Sequence, residues 1–299
     1  MAKAVFTTKA SPSYDDRPEE YYHFPATYLN QVRAALGDYI VYYEPRRSST
    51  DESSRGGRQA YFATARVDSI IDDTAKPGHF YALLSGYLDF DHPVPFNQRG
   101  EYFESALRKP DGTTNRGAFG RAVRNVPDTE FDVILKFGFA AELAQPIDDE
   151  SEIPLGLDEP IKEFERPIVE LTILRPFRER SFKRVVRMAY DSRCALTGLR
   201  LINGGGRPEV QAAHIMPVSK KGPDSVRNGL ALSGTVHWLF DRGLLSVDDD
   251  HRILIAKDQV PERVRQLLNK DGRAIAPRDE GRRPHPHYLR YHREKIFKG

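Results

Sequence analysis

The sequence predicts an α+β protein of two domains, the first dominated by strands and rich in aromatics, the second built on a strand, a loop and a helix. Three observations lead there. A chain of 299 residues is long for one compact domain. A proline-punctuated acidic stretch, DDESEIPLGLDEPIKEFE, divides it, because proline interrupts helices and central strands while like charges repel. On either side the apolar period differs, near 2 in the first half and near 3.6 around residues 175–193. We place the domains at 1–145 and 176–299, with 146–175 as the linker. Hydrophobic residues make up 39% and charged ones 29%, the balance of a globular protein rather than a disordered one. No run approaches the roughly 18 apolar residues of a membrane span, and MAKAVFTTKA lacks an apolar signal core. A cytosolic protein is therefore expected, in keeping with one cysteine.

Taken in order, residues 1–20 are polar and read as a loop or arm. The segment YYHFPATYLNQVRAAL begins extended and becomes helical at Thr27, which caps a helix through Leu29, Val32, Ala35 and Leu36 that Gly37 stops. Strands are expected at Tyr39 to Tyr43, Gln59 to Ile71, Phe80 to Leu88 and Val133 to Phe139, with a polar loop from Arg46 to Gly57 and a short helix from Tyr102 to Leu107. Beyond the linker, PFRERSFKRVVRMAY has Phe182, Val185, Val186, Ala189 and Tyr190 on one helical stripe and Arg178, Lys183, Arg184 and Arg187 on the other. A strand from Val210 to Ile215 delivers His214. A loop containing Gly222, Pro223, Lys220 and Lys221 leads to Asn228, and the apolar series Leu232, Val236, Leu239, Phe240 carries His237 into a helix. Leu245 to Val247 and Arg252 to Ile255 form a hairpin, Pro261 to Leu268 a short helix, and PHPHYLRYHREKIF a final helix packed on the core.

A His–Asn–His series in this order is suited to a hydrolytic site. A histidine can take a proton from water near neutral pH, a second can ligate a cation, and an asparagine, with donors and an acceptor but no acid–base role, can tie a loop to backbone groups. The residues AAHI, RNGLAL and HWLFDRGLLS resemble the HNH nucleases with their ββα-metal fold, over roughly residues 185 to 260. That resemblance implies His214 as general base, Asn228 as loop anchor and His237 as ligand to one divalent cation, Mg²⁺ or Mn²⁺. Many relatives place a further ligand just before the base, where this chain has Ala213; Asp241, one helical turn after His237, is the candidate replacement. Many also brace the fold with two C-x-x-C pairs. Here only Cys194 is present, with Thr197 where its neighbour would fall, so no structural zinc is expected. Arg184, Arg187, Lys220 and Lys221 are the candidate contacts to the DNA backbone.

The first half holds most of the 14 Tyr and 16 Phe. The segments GDYIVYYEPRR, GRQAYFATARVDSI and YALLSGYLDFDHPVPF resemble the PUA-like barrels, the group containing the EVE, YTH and SRA modified-base readers, which implies a PUA-like β-barrel with helices. Tyr22, Phe24, Tyr43 and Arg46 are then the candidate base pocket, because aromatic faces with a cation at the rim can hold a base flipped from the duplex. The two resemblances together imply a modification-dependent restriction endonuclease of phage defence, acting as a homodimer on double-stranded DNA containing modified cytosine. Two other readings stay open: an HNH unit that grips DNA without cutting it, and a nuclease whose first domain binds RNA or protein.

Overall fold

A computed structural model describes residues 2–8, 17–45, 59–143 and 174–299. It divides the chain into two compact units, 1–181 and 182–299. Most of the expected linker, and Arg46, lie outside the described residues.

The first unit opens with β1 (Lys3–Thr7) and β2 (Tyr21–Pro25), followed by a 3₁₀ turn and α1 (Leu29–Ala34). Next come β3 (Tyr39–Glu44), β4 (Ala60–Asp72) and β5 (His79–Pro95). A small hairpin of β6 (Asn97–Gln98) and β7 (Glu101–Tyr102) leads to α2 (Arg116–Phe119), β8 (Val123–Val126), α3 (Asp128–Gly138) and α4 (Ala140–Leu143). Six strands form one sheet in the order β2-β5-β4-β3-β1-β8, antiparallel except for the β1–β3 pair. Its two faces follow the alternation of the strands. Ala4, Phe6, Ile40 and Tyr42 point to one core with Tyr22, Phe24 and Val32; Val5, Val41 and Tyr43 point to the other with Tyr61, Phe131 and Leu135. Register shifts at Tyr61/Ala63, Thr64/Arg66 and Val67/Ser69 mark bulges in the long β4–β5 pair, which bend a sheet. The result is a curled half-barrel. The Tyr22 hydroxyl on edge strand β2 donates to the Thr7 carbonyl oxygen at 3.0 Å, and its ring lies 4.7 Å from that of Phe6.

Five expectations change here. Among the described strands the ladder is open, with β2 and β8 as its edges, so the expected β-barrel is a curled half-barrel. Residues 3–7 are a strand buried on both faces, which leaves no polar/apolar alternation to read. Thr27 lies within the 3₁₀ turn and caps nothing. Val133 to Phe139 belongs to α3 rather than to a strand. Phe131, Ile134, Leu135 and Gly138 recur at helical spacing and are buried, and that stripe overrides the β-branched local composition. Gly138 lets the helix approach the sheet, since a Cβ there would overlap the Phe90 ring. Residues 102–107 hold the end of β7 and a 3₁₀ turn rather than a helix.

The second unit begins within α5 (Arg175–Ala189). It continues through β9 (Gln211–His214), β10 (Gly229–Leu232), α6 (Gly234–Asp241), β11 (Leu245–Val247), β12 (Ile253–Ile255), α7 (Glu262–Arg265) and α8 (Pro286–Lys295). β9 and β10 pair antiparallel, with His214 opposite Gly229, and α6 follows directly, which makes a ββα unit. Phe182, Val185 and Val186 of α5 pack with Ala213, Leu230, Leu232, Val236 and Phe240 in one core that also takes Tyr288 and Leu289 of α8. Each large apolar side chain so buried contributes about 1.5–3 kcal/mol. Cys194 lies in this core, and Thr197 Oγ1 accepts from the Leu199 amide at 3.3 Å.

Candidate active site

Period 2 in β9 decides which side chains meet the cleft. Ala213 is fully buried in the core, whereas Ala212 and His214 are partly exposed and line a cleft. The position that carries an added ligand in many HNH nucleases therefore faces apolar packing here. Ala212 and His214 share a cleft of about 390 Å³ with Pro217, Val218, His237 and Asp241.

His214 is held from two directions. Its ring stacks on Phe182, with centroids 3.8 Å apart and planes 13° from parallel. Its Nε2 lies 3.0 Å from Asp224 Oδ1. An ionised carboxylate only accepts hydrogen bonds, so Nε2 carries the proton and Nδ1 keeps the lone pair. Both partners are largely shielded, His214 being 21% and Asp224 11% exposed in their side chains.

Asn228, fully buried, organises the loop between them. Its Oδ1 accepts from the Met216 amide at 2.9 Å, and its Nδ2 donates to the carbonyl oxygens of Met216 at 2.9 Å and Pro223 at 3.0 Å. The backbone adds Ile215 N–H to Asn228 C=O at 2.9 Å. These bonds close residues 216–228 on themselves and hold Asp224 beside His214. Gly222 is required by that closure: a Cβ there would drive into the Met216 carbonyl and crowd Asn228 Nδ2.

On α6, His237 and Asp241 stand one turn apart. His237 Nδ1 donates to Gln211 Oε1 at 2.8 Å, which leaves Nε2 with its lone pair, 3.4 Å from Asp241 Oδ2. Among the described residues no group of three or more His, Cys, Asp and Glu side chains gathers to hold a metal. The His237–Asp241 pair offers one nitrogen and one oxygen, a set that fits a divalent cation whose other positions are filled by water and phosphate.

Of the candidate phosphate contacts, Lys220 and Lys221 are exposed beside the turn that brings Val218 to the cleft. Arg184 and Arg187 are half-buried, and Arg187 Nε donates to the Val210 carbonyl oxygen at 3.0 Å. Burial, then the nearby Arg207 charge, lowers the Arg187 pKa. Arg187 thus braces the entry to β9. Two further histidines, His285 and His292, have other partners. His285 caps α8, while His292 is buried, with Nδ1 2.9 Å from Ser246 Oγ and Nε2 3.1 Å from the Phe240 carbonyl oxygen.

The candidate base pocket is not assembled. Tyr22, Phe24 and Tyr43 are 3%, 0% and 0% exposed, and Tyr43 belongs to the opposite face of the sheet from the other two. Their aromatic surface fills cores. Sequence reasoning missed Asp224, Gln211 and Phe182; the one signal for Asp224 was a carboxylate inside the loop that Asn228 closes.

Residues 194–248 match the family model described as HNH endonuclease. A comparison with curated proteins finds no match. Two solved structures overlap this chain over 98% of its length: a modification-dependent TagI restriction endonuclease, at 16% identity, 81% of its own chain and a TM-score of 0.33, and the type IV phosphorothioation-dependent restriction endonuclease ScoMcrA, at 12% identity, 57% of its chain and a TM-score of 0.22. At those scores the overlaps carry no argument. Among the described residues no helix is long and apolar enough to cross a membrane.

Proposed function

Because residues 194–248 form an HNH endonuclease domain, we propose that this chain hydrolyses phosphodiester bonds of DNA at the cleft shared by His214, His237 and Asp241. The observation that carries the reading is His214, paired with Asp224 of a loop that Asn228 ties down, facing the same cleft as a His/Asp pair of metal-ligand type. Asp224 keeps the His214 proton on Nε2, so Nδ1 is the base that takes a proton from the attacking water. Phe182 and Asp224 fix the ring, so little reorganisation is needed when that proton arrives. His237 and Asp241 would hold a Mg²⁺ or Mn²⁺ ion, which when bound supplies Lewis-acid stabilisation of charge on the phosphate and leaving oxygen. Gln211 holds the His237 ring so that Nε2 is available, and Lys220 and Lys221 attract the DNA backbone.

The finer parts of the proposal are that the N-terminal unit, through its resemblance to PUA-like readers, selects DNA with modified cytosine, and that a homodimer cuts both strands in phage defence. One cleft per chain serves one strand at a time, which supports two chains acting together. The test is cleavage of matched duplexes carrying cytosine, 5-methylcytosine or 5-hydroxymethylcytosine, with Mg²⁺, Mn²⁺ or EDTA. Metal-dependent cutting confined to a modified duplex is expected. Equal cutting of all three removes the modified-cytosine reader, and no cutting with either metal points to a DNA-binding module or to a modification outside this set.

A further inference from the structure

The first unit has a second aromatic surface, and unlike the buried tyrosines it is open. A cleft of about 620 Å³ lies between the β6–β7 hairpin and α3, lined by Tyr102, Phe103, Val133 and Phe137 together with Arg99 and Glu130. Glu130, Val133 and Phe137 recur at helical spacing and form one stripe of α3. Val133 is 41% and Phe137 48% exposed, an unusual outlay of apolar surface on a short helix. Phe103 meets Phe137 edge-on, with centroids 5.1 Å apart, and so fixes the plane of that ring. At the base of the stripe, Glu130 lines the same cleft and is half-buried, so a carboxylate acceptor stands beside the aromatic faces.

A neighbouring cleft shares Glu101 and Tyr102 with the first and adds Ser105, Arg108 and Lys109. Arg99 sits at the tip of the β6–β7 hairpin, where φ of +54° at Arg99 and +89° at Gly100 make a tight turn. The linings carry Arg99, Arg108 and Lys109 against Glu101 and Glu130, and Arg108 and Lys109 outnumber Glu101 in the second cleft, so an aromatic slot with an acceptor at its base leads into a basic one. We propose that these joined clefts hold an unpaired nucleotide of a DNA strand, its base against Phe137, its amino group donating to Glu130, and its phosphates toward Arg108 and Lys109. The occupant rests on the nuclease reading above; the slot itself rests on the geometry. A carboxylate prefers cytosine to thymine, because the ring N–H of thymine lies between two carbonyl oxygens that repel it, whereas cytosine presents an amino group.

The test is fluorescence anisotropy of labelled oligo(dC) and oligo(dT) with the full chain in EDTA, so that binding is read without cleavage. Oligo(dC) is expected to bind about fivefold or more tightly than oligo(dT). Phe137→Ala should weaken oligo(dC) roughly five- to hundredfold by removing the stacking face. Glu130→Gln, which keeps the side-chain shape and adds a donor, should remove the preference for oligo(dC) while the chain stays folded. The mononucleotide dCMP should compete only weakly. Equal binding of the two oligonucleotides, binding unmoved by Phe137→Ala, or dCMP competing as well as oligo(dC) would overturn the proposal. If the chain cuts duplexes while Phe137→Ala changes no binding, this site fails and the nuclease stands; binding that follows Phe137 in a chain that cuts nothing gives the reverse.

Discussion

Each unit is built around a buried polar network, and the two networks are put to different uses. In the first unit Arg124 grips Glu104 with two hydrogen bonds of 2.7 and 2.8 Å, Tyr61 donates to the same carboxylate at 2.6 Å, and Arg124 also reaches Thr7 Oγ1 and the Arg121 carbonyl oxygen. Its charged members are nearly inaccessible, Glu104 at 0% and Arg124 at 6%. In the second unit Asn228 is as buried, yet its bonds go to loop backbone, and the loop then holds Asp224 against His214, which remains partly accessible at a cleft. The difference teaches what separates a brace from a site. A brace satisfies its donors and acceptors internally, whereas a site uses a satisfied residue to hold others whose chemistry is still available.

That distinction can be broken in order of expected size. Glu104→Ala leaves the Arg124 charge buried without its partner, a loss of about 3–5 kcal/mol. The melting temperature should fall by about 10 °C or more, and an unchanged melt would mean that the pair braces nothing. Next is acid. Burial pushes the His292 pKa down to about 4, below the roughly 6.5 of the unfolded chain. The unfolded state therefore takes up a proton first. Stability from this group is complete above about pH 6.5, declines as the pH falls towards 4, and is lower by roughly 3 kcal/mol beyond that. Denaturant melts of wild type and His292→Asn across this range check it: the wild type should lose stability more steeply, and parallel curves would contradict the assignment. The smallest effect is expected from Asp224→Asn, which keeps the shape but removes the charge that sets the His214 tautomer. Cleavage should slow about tenfold to a hundredfold, by analogy with partners that orient ligand histidines, with no change in melting. Full activity would show that Asp224 does not orient the base.

The second unit was readable because its elements have clear periods and its chemistry sits at their junctions. The strand carrying His214 and the helix carrying His237 stand where the apolar spacing places them. Asp224 was not readable, since its role depends on how Asn228 folds the intervening loop. In the first unit, β3, β4 and β5 follow from alternation, but β5 runs on to Pro95, and α3 reads locally as a strand because Val133, Ile134 and Phe137 favour strands. The tyrosines misled for a related reason. Tyr22 donates its hydroxyl to the Thr7 carbonyl oxygen and Tyr61 to Glu104, so partners for buried phenols come from segments distant in sequence. Aromatic content marks burial first; only exposure, as at Phe137, distinguishes a surface that can receive a ligand.

The most direct test compares wild type with His214→Ala in two assays on the same preparation, melting temperature and Mg²⁺-dependent cleavage of the best duplex substrate. The account expects melts that agree closely, since His214 is partly exposed beside the core, and cleavage that falls about 10²–10⁴-fold through loss of the base. Cleavage retained at the wild-type rate by the folded variant would contradict it, because the Asp224–His214 pair would then have no part in the reaction.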